Sequence, residues 1–142
     1  MTCAPALERL HPYRVVIVDD DDAVRRALPS VLQGPWVEVA TASTLEEAKR
    51  MLASGADLVI TDLRLRSRTD TDGLELVAWV HRTMPELPVI VLTAYGSKAL
   101  RTAAIELGAV DLWFKSIDLA DLVDRIRELG IPISDLNREE IE

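Results

Sequence analysis

The chain has 142 residues, enough for one domain with a sizeable core. Its formal charge of −8 argues against a dedicated nucleic-acid surface, which needs a clustered basic face, and its single cysteine, Cys3, excludes an internal disulfide. No apolar run approaches the ~20 residues of a membrane-spanning helix, the N-terminus lacks the apolar core of a secretory signal, and the cysteine usage fits a reducing cytoplasm.

In chain order, residues 1–13 read as a lead-in in which Pro5 and Pro12 discourage a helix. Val15-Val16-Ile17-Val18 is a β-branched run without polar alternation, the pattern of a strand buried on both faces, and it runs into Asp19-Asp20-Asp21-Asp22. Val24, Leu28, Val31 and Leu32 then recur at helical spacing over Ala23 to Gln33. Pro29 removes a backbone donor and is expected to kink or shorten that helix, which Gly34-Pro35 stops. Trp36 to Ala40 alternates as a strand at the edge of a sheet does. Thr44-Leu45-Glu46-Glu47 has the form of a capping box, opening a helix with the stripe Leu45, Ala48, Met51 and Leu52 that Gly55 closes.

Leu58-Val59-Ile60 is a second fully apolar strand, and it delivers Asp62 at its exit. A polar connection from Leu63 to Gly73, long for an α/β loop, leads to a third helix built on Leu74, Leu76, Val77, Val80 and Met84. Pro85 and Pro88 bracket the turn into Val89-Ile90-Val91-Leu92, which ends at Thr93. Ser97 caps a helix carrying Leu100, Ala103, Ala104 and Leu107, closed by Gly108. Val110 to Phe114 is the fifth strand, ending at Lys115, and Asp118 caps a last helix with Leu119, Leu122, Val123, Ile126 and Leu129 before Gly130. Five strands alternating with five helices through right-handed crossovers predict a doubly wound, flavodoxin-like α/β sandwich with strand order 2-1-3-4-5. The domain is expected over residues 14–130, with 131–142 as a tail or the start of a linker.

Ligands of such sheets bind at the carboxyl edge, and there this chain collects Asp19 and Asp20, Asp62, Thr93 and Lys115 from four strands. A single Asp past a strand is usually a turn residue or a helix cap. Four reactive exits on one edge are not explained that way, whereas Asp21 and Asp22 read as helix-start residues favoured by the helix dipole. Clustered carboxylates must protonate or bind a cation, and a hard divalent ion, Mg²⁺, suits oxygen ligands. A carboxylate that attacks phosphorus forms an aspartyl phosphate. Such transfer is helped by positioned positive charge and directed donors, which Mg²⁺, the Lys115 ammonium and the Thr93 hydroxyl supply.

This ordered set, together with Asp72-Gly73-Leu74-Glu75-Leu76 and Leu92-Thr93-Ala94-Tyr95, resembles the receiver domain of bacterial two-component response regulators across nearly the whole chain. The resemblance implies that Asp62 is the phosphoacceptor, served by a sensor histidine kinase, a phosphotransfer protein or a small phosphodonor. It implies Mg²⁺ ligation by Asp19, Asp20, Asp62 and the carbonyl of Arg64, a switch hydroxyl on Thr93, and a phosphoryl contact from Lys115. It further implies a signalling domain that catalyses only its own phosphoryl transfer and dephosphorylation. The partner is then an effector domain or protein, with no direct binding to nucleic acid or membrane, and a homodimer forms through helix four, strand five and helix five.

Two other readings stand beside it. A haloacid-dehalogenase-like phosphohydrolase would open on Asp20-Asp21-Asp22-Ala23-Val24 but leaves Asp62 unexplained, and a degenerate receiver would bind partners without phosphorylation. The chain also departs from the family pattern. Ser116 stands where the family has proline after the lysine, so the usual cis turn is not expected. Leu112 stands where it has an aromatic switch residue, and the loop after Asp62 is longer and carries Arg64, Arg66 and Arg68, read as a solvated loop with phosphate or partner recognition as the alternative. With no ring at 112, the response is expected to reorganise the loop from Thr93 to Ser97 and to run through the start of helix four or through Trp113.

Overall fold

A computed structural model describes residues 11–65 and 72–134. The first ten residues, Arg66 and Arg68 in the connection after Asp62, and the tail beyond Ser134 lie outside the described residues. The elements are β1 (Tyr13–Val18), α1 (Asp22–Leu32), β2 (Val37–Ala42), α2 (Leu45–Leu52), β3 (Leu58–Thr61), α3 (Asp72–Thr83), β4 (Val89–Thr93), α4 (Lys98–Leu107), β5 (Asp111–Phe114) and α5 (Leu119–Glu128). The strands pair in parallel as one sheet in the order β2-β1-β3-β4-β5, the order expected of a flavodoxin-like sheet.

Helices cover both faces. Leu28, Val31 and Leu32 of α1 and Leu122, Val123 and Ile126 of α5 join one core with Ile17, Ile60 and Ile90. On the other face α2, α3 and α4 contribute Leu52, Leu76, Val80 and Ala104 to a second core around Val16, Val59 and Val91. Leu58, Val59 and Ile60 are no more than 1% exposed because neighbours and helices enclose β3 on every side. The outer strand β2 leaves Glu38 exposed.

Local chemistry sets most element ends. Asp21 caps α1, accepting from the Ala23 N–H at 2.8 Å, and Asp22 in the first turn pairs with Arg25. The helix is not shortened at Pro29: it continues to Leu32, and the Gln33 N–H donates to the Pro29 carbonyl at 2.8 Å. A proline inside a helix costs about 3 kcal/mol. Burying Leu28, Val31 and Leu32 returns about 1.5–3 kcal/mol each, so the sheet decides the outcome. In α4 only Ala104 of the expected stripe is fully buried, while Ile105 and Leu107 are exposed. This helix packs on α3 and on the edge strand β5, at the end of its layer, and covers a narrower surface.

The core also continues past α5. Ile131 and Ile133 are buried in the α1/α5 core with Tyr13 and Leu122. The Arg127 guanidinium donates from Nε and Nη2 to the Ile133 carbonyl at 3.0 and 2.8 Å, which seats this segment against the helix. Ile131→Ala is therefore expected to lower the unfolding free energy by about 2–4 kcal/mol. Urea denaturation measures it, and a loss below ~0.5 kcal/mol, the scale of an ordinary surface substitution, would show that the segment adds nothing to the core.

Candidate functional site

Parallel pairing brings all carboxyl ends of the strands to one edge, and the register aligns the reactive ones. Val18 lies opposite Thr61, and Thr93 opposite Phe114, so Asp19 stands beside Asp62 and Lys115 follows directly past Thr93. The ladders extend one residue beyond the strands: the Asp62 N–H donates to the Val18 carbonyl and the Lys115 N–H to the Thr93 carbonyl, both at 2.9 Å. These bonds fix the backbone from which each side chain projects.

The Lys115 ammonium lies 2.8 Å from Asp62 Oδ2 and 2.8 Å from Asp19 Oδ2. The remaining oxygens are also held, Asp62 Oδ1 by the Leu63 N–H at 2.7 Å and Asp19 Oδ1 by the Asp21 N–H at 2.9 Å. Asp19, Asp62 and Thr93 are buried and Asp20 is half-buried. Carboxylate oxygens of Asp19, Asp20 and Asp62 all fall within 4.8 Å of one another.

Negative charge outnumbers positive charge among these residues. Burial pushes the Asp19 carboxyl above the usual carboxylate range, and the Asp62 charge adds to this against the opposing pull of Lys115 and the Asp21 N–H. Burial alone would lower the Lys115 ammonium, but its bonds to Asp19 and Asp62 outweigh that and hold it above its ordinary value. Both shifts retain protons, as expected of a pocket that seeks a cation. Three oxygen donors within one ion's reach fit a hard divalent metal.

Around this centre, the Thr93 hydroxyl oxygen accepts from the Tyr95 N–H at 3.2 Å. The Arg64 side chain lies over the Tyr95 ring at 4.7 Å, joining the loops after β3 and β4. Gly73, the second residue of α3, lies directly against Asp62: a Cβ there would lie 2.0 Å from the Asp62 carbonyl oxygen, so only glycine allows this approach. Leu112 is buried, and Trp113 points to the opposite face of the sheet, into the α1/α5 core with Arg125 over its ring. Ser116 is exposed, and no cis peptide bond occurs among the described residues.

The response regulator receiver domain profile matches residues 15–127. The chain belongs to the receiver-domain family. Receiver-containing relatives include the response regulator protein PilR of Pseudomonas aeruginosa, 35% identical over 130 residues, covering 91% of this chain but 28% of PilR. The response regulator MprA of Mycolicibacterium vanbaalenii is 36% identical over 119 residues, covering 83% of this chain and 50% of MprA. The chain thus spans half or less of the length of these curated relatives. Among solved structures, a CheY-like receiver from Methanospirillum hungatei superimposes with a TM-score of 0.75 at 27% identity, over 91% of this chain and 98% of that one. A putative response regulator from Chloroflexus aurantiacus gives 0.73 at 34% identity, over 83% and 97%. This receiver is a two-component signalling domain, and the dehalogenase-like alternative has no support left.

The residues singled out at the carboxyl edge share this neighbourhood: Lys115 bridges Asp19 and Asp62, an Asp20 oxygen lies within 4.8 Å of theirs, Thr93 ends the neighbouring strand, and Arg64 follows two residues after Asp62. The pattern of residues did not disclose the tight approach of Gly73 or the Arg64–Tyr95 stack, which depend on where two loops meet. Lys115→Ala leaves two buried carboxylates without their cation and should cost about 3 kcal/mol at pH 7. Protonation of Asp19, already raised by burial, relieves that charge as pH falls, so the deficit against the unsubstituted protein should narrow between about pH 7 and 5. Urea titrations without divalent metal at the two pH values test this, and a deficit that grew toward pH 5 would contradict it.

Proposed function

We propose that Asp62 accepts a phosphoryl group from a sensor histidine kinase, a phosphotransfer protein or a small phosphodonor, and that the domain works as a cytoplasmic signalling switch. The observation that carries this reading is the Asp62 carboxylate itself. It is buried at the exit of the central strand, with Lys115 at 2.8 Å and two further carboxylates within 4.8 Å. An Asp62 oxygen attacks phosphorus, and the new O–P bond forms as the donor's P–N or P–O bond breaks, the donor leaving with the bonding pair. Lys115, displaced from its two carboxylates toward the new phosphoryl oxygens, offsets their charge, and the Thr93 hydroxyl turns from the Tyr95 N–H to donate to one of them. Asp19, Asp20, Asp62 and the Arg64 carbonyl would hold Mg²⁺, which supplies charge neutralisation for the transferring group. Hydrolysis of the aspartyl phosphate by water resets the switch. No other reaction is assigned to the domain.

An effector domain or protein partner completes the reading. It is supported by the names of relatives, such as the transcriptional regulatory protein GlrR of Escherichia coli, and by their greater length. A homodimer through α4, β5 and α5 is supported by exposed Ile105 and Phe114 on that surface and by the beryllofluoride-activated NtrC4 receiver, a structural neighbour described as a dimer.

Acetyl phosphate with Mg²⁺ is expected to add one phosphoryl group by intact mass, and Asp62→Asn to abolish it. An unchanged phosphorylated fraction in that variant would move the acceptor elsewhere, and no uptake by the unsubstituted chain would favour a degenerate receiver. Mg²⁺ should also raise the melting temperature, because an ion bound only by the folded state stabilises it by mass action. Asp20→Ala should remove most of that gain, and a gain that survives would place the ion at other ligands.

A further inference from the structure

Leu112 occupies the position where the family has its aromatic switch residue, and it is 3% exposed, locked within the α2/α3/α4 core. Side chains alternate along a strand, so Phe114 shares the face of Leu112, while Trp113 is turned away into the other core. Phe114 is 46% exposed and has room to move. Both Leu112 and Phe114 meet Gly96, in the loop that follows Thr93. A Cβ added to Gly96 would lie 2.8 Å from Leu112 Cδ2, and 2.8 and 3.3 Å from Phe114 Cε1 and Cζ. The ring thus rests against glycine backbone, where a methyl would force it or Leu112 to shift. Phe114 is also the strand partner of Thr93, whose hydroxyl oxygen anchors the same loop through the Tyr95 N–H.

We propose that Phe114 is the ring that answers the state of Thr93, acting through Gly96. The inference rests on the reading of Asp62 as phosphoacceptor. When the Thr93 hydroxyl turns to a phosphoryl group on Asp62, the Tyr95 N–H loses its acceptor and the loop draws toward the site. Gly96 withdraws from the ring, and the half-exposed ring follows into the apolar space left behind, because that removes its surface from water. Phe114 is a positioning residue in this account: it touches neither phosphate nor metal. Coupling between two sites is reciprocal, so a partner that covers the inward ring also favours the phosphorylated state of Asp62.

Phe114 is the single phenylalanine of the chain, so growth on 4-fluorophenylalanine places one fluorine at this ring and nowhere else. Fluorine spectra of the whole chain are recorded with Mg²⁺ before and after acetyl phosphate, with the phosphorylated fraction of each sample read by intact mass. Phosphorylation is expected to move the resonance and to shrink its shift between H₂O and D₂O, the sign of a ring leaving solvent. Gly96→Ala, whose methyl takes the ring's seat, should displace the resting resonance and reduce the phosphate-dependent movement. In Thr93→Ala, scaled to its own phosphorylated fraction, the ring should stay in place. A resonance that is unchanged in a phosphorylated sample, or that moves equally in Thr93→Ala, overturns the role of Phe114 and leaves the phosphoacceptor reading intact. A chain whose mass shows no phosphate overturns that reading, and this inference with it.

Discussion

The bridge from the Lys115 ammonium to Asp19 and Asp62 joins the ends of three strands, and the rest of the site takes its arrangement from it. Two carboxylates are buried side by side, a state that repulsion and desolvation both oppose. One ammonium at 2.8 Å from each makes it tolerable without fully neutralising it. The residual negative charge suits the three clustered carboxylates to a divalent cation. The fold's stability is thereby tied to the chemistry proposed for it, because the groups that strain the folded state are those meant to react.

Backbone closeness complements that charge. At Gly73 the first turn of α3 rests on the carbonyl of Asp62, which sets the backbone of Asp62 against the helix. At Gly96 the loop after β4 rests on the end of the Phe114 ring, which is 46% exposed. The two glycines permit close approach to different kinds of neighbour, backbone at Gly73 and side chains at Gly96. A methyl at Gly73 would meet fixed backbone, whereas one at Gly96 would meet side-chain atoms able to yield.

The departures from the family pattern therefore leave the reactive centre complete and alter the periphery. Leu112 and Trp113 are both packed into cores, one on each face of β5, and Ser116 lies exposed after the lysine. Along α4 and β5, Ile105, Val110 and Phe114 are exposed.

Sequence alone determined the alternation of elements and the residues at the carboxyl edge, since each follows from local pattern, while the strand order came from the flavodoxin-like fold that the alternation fits. Runs such as Leu58-Val59-Ile60 can be satisfied only between two helical layers, and a polar residue ending such a run must emerge at the sheet's edge. Asp21 as a helix cap was legible for the same reason, its partner being two residues away. Tertiary structure decided whatever depends on distant segments meeting. Proline at 29 is tolerated because the sheet rewards the last turn of α1, and Ile131 and Ile133 belong to a core whose other members lie far along the chain. The bridging geometry of Lys115, the fit of Gly73 beneath Asp62 and the seat of Phe114 on Gly96 likewise exist only once separate loops are packed at van der Waals distance. Periodicity records which face a residue takes, but not which atom it touches there.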